Sequence, residues 1–252
     1  MKIDELQVYR GRDLEIAKGI VMRQPTLGEI ESNGESHEMD FFETCYTLIA
    51  TPTDMMAQLD KIGIRYEDVT NFELFMMLFP SLPKEKVHLL FRDLEPADYE
   101  RTLVENQGRY ILANPKTNSF IDEVVYHDIV GYICAVMRMK QTEKKIPGNA
   151  FSRRIMLDVA YMDWEAAKDK KAKSFLQPLV STMVNLEGFK SDWSTVWDMK
   201  IGAFMDAVQR TQVIASSKAL LSGCYSGNID TKKIKTKELD YMRELVTDRA
   251  LA

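Results

Sequence analysis

The chain has 252 residues, enough for one large domain or two small ones. Hydrophobic residues make up 45% and charged residues 28%, the composition of a folded globular protein, which excludes a disordered chain and a membrane protein. Thirty-three Lys and Arg against 38 Asp and Glu leave a net charge of −5, so no overall basic field draws the chain to nucleic acid or an anionic membrane.

The opening residues, Met1 to Gln7, place Asp4 and Glu5 where a signal peptide would need an unbroken apolar core. The most apolar stretch, Phe72 to Phe79, carries Glu73 and stops at Pro80, far short of a bilayer span. Cys45, Cys134 and Cys224 are odd in number and widely spaced, which suits free thiols in a reducing cytoplasm.

Val8-Tyr9, Leu14 to Ile16 and Ile20 to Met22, separated by Gly11 and Gly19, predict an extended opening with a small hairpin over 7–24. Pro25 suits the first turn of a short helix carrying Leu27 and Ile30, before Asn33-Gly34 interrupts. Met39, Phe42, Tyr46 and Ile49 recur at helical spacing and predict a helix with that face inward. Thr51 reads as a cap with Pro52 at the first helical position, leading to a helix that Gly63 stops. Thr70 to Glu73 is a capping box before Phe72, Phe75, Met76 and Phe79. A further helix from about Pro83 carries Val87, Leu90 and Phe91 inward.

Between Tyr99 and Ile121 short apolar runs separated by Asn106-Gln107-Gly108 and by Asn114 to Asn118 predict a β-hairpin or three short strands. Asp122 starts a helix with Val125, Ile129, Ile133, Val136 and Met137 on one stripe, ending near Lys140. The polar, basic Gln141 to Asn149, with Pro147-Gly148, predicts a mobile linker and a boundary between a lobe of 1–146 and a helical lobe of 147–252, which can share one core. Beyond it, Phe151 to Lys173 predicts a long helix with a solvated tail of Lys168, Lys170, Lys171 and Lys173. Phe175 to Leu186 predicts a second, and Ser191-Asp192 precedes a third with Trp193, Trp197, Ile201, Phe204 and Val208 in step. The fold class is mainly α with small β elements: an N-terminal hairpin, a central β-hairpin and a C-terminal helical bundle.

Motifs for catalysis are not visible. Glu85 to His88 is the single Glu-x-x-His spacing where a di-iron bundle needs two, and Glu123 with His127 has no Cys or second His at ligand spacing. Gly223 to Gly227 lacks the order of a nucleophile turn and reads as a helix end. Asn228 and Asp230 are too few for a calcium loop, and no phosphate-binding glycine pattern occurs. The expectation is no catalytic residue, metal or cofactor. Lys232, Lys233, Lys235 and Lys237 form the sharpest basic cluster, but without interleaved aromatics it reads as solvated surface or contact with an acidic protein rather than specific nucleic-acid binding. Among 15 methionines, the pairs Met55-Met56 and Met76-Met77 suit core filling or an adaptable protein-binding face. Met55, Met56, Tyr225, Lys232, Lys233, Lys235 and Lys237 are the candidate protein-binding residues.

Arg23 to Ile30, Thr51 to Met55, Asn71 to Phe75, Trp197 to Ile201 with Phe204 to Asp206, and Cys224 to Asp230 together resemble a tail-module protein of tailed bacteriophages and prophages of Gram-positive bacteria. The strand leading into Gln24-Pro25-Thr26 is also similar to the opening of phage tail assembly chaperones. The resemblance implies a morphogenesis protein in the host cytoplasm that coats the tape-measure protein and recruits tail-tube subunits, with no place in the finished virion; such a factor is expected to self-associate or to depend on its partners for solubility. The alternatives are a virion structural protein of the tail or head-tail region, and a host-directed factor or enzyme with a scattered site.

Overall fold

Caps and positive-φ residues cut the first hundred residues into short elements. The computed structural model describes residues 5–33, 38–105, 108–168, 173–227, 232 and 234–245. Val8 and Tyr9 close a short helix α1 (Glu5–Tyr9) instead of a strand, because Arg10 N–H donates to Leu6 O and Gly11, at φ 66°, turns the chain away. The hairpin is formed by β1 (Leu14–Ala17) and β2 (Ile20–Met22), antiparallel, with Leu14 opposite Met22 and Gly19 in the turn. In α2 (Leu27–Glu31) Thr26 is the cap and Pro25 lies before it: Thr26 Oγ1 accepts from Glu29 N–H while Glu29 Oε2 accepts from Thr26 N–H.

Helix α3 (Glu38–Ile49) buries Phe41, Phe42, Cys45 and Leu48 and leaves Tyr46 exposed, so its inner face is turned from the expected one. Thr51 does not start a helix. Asp54 Oδ2 accepts from both Thr51 N–H and Thr51 Oγ1, closing a turn that delays α4 (Met56–Lys61). The capping box of Thr70 and Glu73 opens α5 (Asn71–Leu78), and α6 (Lys84–Phe91) buries Val87, Leu90 and Phe91.

Strands β3 (Glu100–Val104), β4 (Arg109–Asn114) and β5 (Ser119–Ile121) form an antiparallel sheet in that order, with Leu112 opposite Ile121 and both fully buried. The expected turn at Asn106-Gln107 lies outside the described residues. Asp122 accepts from Val125 N–H and starts α7 (Glu123–Met137), whose five expected apolar positions are all buried. Its Tyr126 ring meets Phe75 at 5.0 Å, and Phe79 links that pair to Phe91 and Tyr99. Arg138, in the left-handed region at φ 53°, ends α7 three residues ahead of Gln141, earlier than expected.

Residues 141–149 are extended and tied down rather than a free linker. Gln141 donates to Ile49 O and Tyr126 Oη, Lys144 Nζ donates to the carbonyls of Glu67 and Val69, and Lys145 N–H donates to Thr53 Oγ1. The chain then enters α8 (Ala150–Lys168), α9 (Leu176–Val184), α10 (Ile201–Tyr225) and α11 (Thr236–Leu239). Of the expected lysine tail, Lys168 ends α8 beside Glu165, Lys173 lies beyond it, and Lys170 and Lys171 fall outside the described residues. Trp193 and Trp197 are not helical partners of Ile201. The Asp192 carboxylate accepts from the hydroxyls and amides of Ser194 and Thr195, which holds it down to about 2 and forms a separate turn; the helix begins only after Met199-Lys200 run extended.

Helix α8 packs on α4 over a small core of Met56, Leu59, Tyr66, Leu74 and Leu157. Arg153 fastens it, donating to Glu67 Oε1 at 2.7 Å and Asp60 Oδ1 at 3.3 Å. The larger core joins Leu176, Val180, Ile201, Phe204, Met205 and Val208 to Phe42, Phe79, Ile129, Ile133 and Met137, so its apolar side chains come from both sides of residue 147.

The two ends of that core are joined by a backbone clasp. Leu27 N–H donates to Met199 O at 3.0 Å, Ile201 N–H donates to Pro25 O at 2.9 Å, and Thr26 pairs antiparallel with Lys200. Gln24 beside it is 1% exposed, and its Nε2 donates to Val8 O at 2.6 Å. A Cβ on Gly202 would stand 2.4 Å from Gln24 Oε1, so the first turn of α10 has no room for a side chain there.

Alanine for glycine inside a helix ordinarily stabilises by about 1 kcal/mol. Here Gly202→Ala is expected to destabilise by about 1–3 kcal/mol through overpacking, with Gln24→Ala restoring part of the loss in the double variant; chemical denaturation measures both, and a stabilised single variant would contradict the packing. Glu67 gives a pH signature. Burial raises its carboxyl, but a backbone amide hydrogen bond, the hydrogen bond and charge of Arg153, and a hydrogen bond from Arg65 outweigh this and hold it below its ordinary 4.5. A lowered folded-state value stabilises above pH 4.5 and is lost as pH falls through it. The melting-temperature gap between wild type and Glu67→Gln should therefore be constant well above pH 4.5 and narrow as the pH falls below it; a gap that does not narrow on acidification would contradict the pairing.

Candidate functional site: a methionine-lined groove

The end of α7 and the outer side of α3 border a cavity of about 130 Å³. Met39, Phe42, Cys45 and Tyr46 of α3, Met137 and Arg138 at the end of α7, the following Met139, Met205 of α10, and Phe175 ahead of α9 line it, with Lys173 at its rim. A second cavity of about 370 Å³ shares Tyr46 and Met139 with the first and extends it past Thr47 and Ala50 to Met55. Five methionines, two of them from the single stretch Met137 to Met139, thus line this pair of adjoining cavities. Unbranched thioethers fill irregular space and re-pack around different apolar partners at low cost.

Two ionic contacts hold the walls. Arg138 Nη2 donates to Asp206 Oδ1 at 2.5 Å, and Gln209 Nε2 donates to Arg138 O, so the end of α7 is pinned to α10. Met139 N–H donates to Cys134 O, folding the chain back so that Met139 lies 8% exposed over the groove. On the other side, buried Glu38 accepts from the amides of Phe175 and Leu176 at 2.8 and 2.9 Å. A carboxylate at the positive end of α9 is doubly favourable, and it seats the Phe175 ring edge-on against Phe42 with centroids 4.8 Å apart.

The thiols nearby are not poised for chemistry. Burial pushes Cys45 and Cys134 up, so both stay protonated and weakly nucleophilic at neutral pH. His88 Nδ1 lies 2.7 Å from Glu85 O, within its own helical turn. No group of three His, Cys, Asp or Glu among the described residues could hold a metal ion, and no helix there is long and apolar enough to cross a membrane.

The expected protein-binding residues separate. Met55 lines the groove, whereas Met56 is buried in the small core under α8 and offers no surface. Met76 is buried and Met77 half exposed on α5. Tyr225 is 88% exposed at the end of α10, where Gly227 at φ 72° closes the turn. Lys232, Lys235 and Lys237 are exposed, the latter two around α11, which packs on α10; Lys233, Asn228 and Asp230 lie outside the described residues. Of the lining residues Met55 alone is among the expected binding residues; Met39, Tyr46, Met137, Met139, Phe175 and Met205 are not. The Met137-x-Met139 spacing is a local hint, but no linear signal brings Met205 or Phe175 to it.

Comparison with protein-family models, curated proteins and solved structures finds no match for this chain.

Glu38→Ala should cost about 2 kcal/mol, because two helix-terminal amides lose a charged acceptor. Hydrogen exchange should quicken at Phe175 and Leu176 more than in α7, and an unchanged rate at α9 would show that its seat on the groove has another cause.

Proposed function

We propose that this chain is a non-catalytic assembly factor that holds an apolar helical segment of a partner protein in the methionine-lined groove. The observation that carries the reading is a pair of adjoining apolar cavities that share Tyr46 and Met139, with the partly exposed Met39 and Met55 at their mouths and the buried Met137 and Met205 beneath the first. An apolar channel with adaptable walls suits a partner whose bound segments vary in sequence, as flexible thioether surfaces do elsewhere. The resemblance of Arg23 to Ile30, Trp197 to Ile201 and the other segments to phage tail-module proteins supplies the partners: the long, apolar tape-measure protein and the tail-tube subunit of the same phage. In this reading the protein works in the infected cell and leaves before the virion is complete.

Co-expression tests it. Wild-type chain should keep the tape-measure protein soluble and co-purify with it. Tyr46→Glu, which places a charge in the channel from a half-exposed position, should lower that recovery on the order of tenfold while leaving the chain's own melting temperature unchanged. Lys235→Glu and Lys237→Glu should leave it unaffected. Failure of the wild-type chain to bind, or equal binding by Tyr46→Glu, would contradict the proposal, and many copies in purified particles would favour the structural reading.

A further inference from the structure

Helix α8 carries apolar side chains on two opposite faces. One faces inward: Met156, Leu157 and Ala160 pack on the small core, while Arg153 and Tyr161 reach Asp60. At about 100° per residue, Phe151, Ile155, Val159 and Met162 fall within an arc of about 80° on the other side. They are 73%, 48%, 51% and 71% exposed. A helix that only covered its own domain would carry charge there.

Arg154 and Asp158, both exposed, lie along one edge of this stripe. Their order decides what fits. If a second α8 is laid against the first in the antiparallel direction and centred on the four large side chains, Phe151 stands opposite Met162 of the second copy and Ile155 beside its Val159. The same edges of the two helices then face each other, and Arg154 comes within about one residue, roughly 1.5 Å of helix rise, of Asp158 of the second copy. The two-fold symmetry makes this pair twice. In a parallel two-fold arrangement the Arg154 and Asp158 edge of one helix would instead face the opposite edge of the other, and this pair would not form.

We propose that the exposed stripe of α8 is a homodimer interface in which two copies of this chain pair antiparallel, with Phe151, Ile155, Val159 and Met162 in the seam and Arg154 to Asp158 as the two flanking ion pairs. The interface is self-complementary, as a two-fold contact requires. It lies on the face of α8 away from α4 and does not depend on the groove or its ligand.

Sedimentation velocity over a concentration series tests this on the full chain. Wild type should dimerise, and Ile155→Glu should be monomeric with an unchanged melting temperature, since the side chain is 48% exposed and belongs to neither core cluster. Arg154→Asp should weaken the dimer on the order of tenfold by opposing like charges, as should Asp158→Arg. The double variant Arg154→Asp with Asp158→Arg should recover the wild-type affinity, a rescue that only pairing with a second copy predicts. A chain that stays monomeric at the highest concentration, or a dimer that Ile155→Glu leaves intact, would overturn the proposal, as would a double variant no tighter than the single ones.

Discussion

Two backbone hydrogen bonds between Pro25-Thr26-Leu27 and Met199-Lys200-Ile201 decide how the rest of the chain is arranged. They join segments some 170 residues apart and set the first turn of α10 against the buried Gln24, which a side chain at position 202 would have to displace. From that anchor α10 runs beside α7, which places Asp206 to bind Arg138 and Met205 to floor the groove. Arg23 to Ile30 and Trp197 to Ile201 are in contact with each other, and Gly28 lies so close to Trp197 that a Cβ there would come within 3.3 Å of its carbonyl oxygen. Those segments hold the fold together; they do not form the groove's wall.

Signals that were local and chemical were legible in the sequence. The Thr70 to Glu73 box needs four residues to state itself, Asp122 caps the helix that follows, and the glycine-punctuated runs before Met22 form their hairpin. Three of the misreadings share one cause, a side chain or backbone state that overrides the local signal. Asp54 and Asp192 bond to nearby hydroxyls and amides and hold turns, Asp54 where a cap followed by Pro52 suggested helix and Asp192 where apolar spacing did. Arg138 ends α7 in a conformation usually given to glycine, so nothing in the residue type marks the stop. The tethering of residues 141–149 was equally invisible, because Gln141 and Lys144 find their acceptors on α3 and on the turn before α5.

The site shows the same division. Met55 was marked and lines the groove; its neighbour Met56 was marked with it and points into the core, since adjacent residues on a chain entering a helix face different ways. Met205 and Phe175 join the site only through the docking of α10 and α9, which depends on Glu38 and the clasp. Composition noticed the methionines, while tertiary packing chose which of them meet. The chain consequently carries two apolar surfaces of different kinds, an adaptable channel walled by four segments and a regular stripe on one helix.

The channel is where the functional account is most exposed to test. A photo-crosslinking residue placed at Tyr46, and in a second protein at Tyr225, can be activated in cells that also produce the proposed partners. The account predicts adducts at Tyr46 that map to apolar helical segments of a partner, with far fewer at Tyr225. Adducts at Tyr225 with none at Tyr46 would contradict it and move the binding surface to the end of α10.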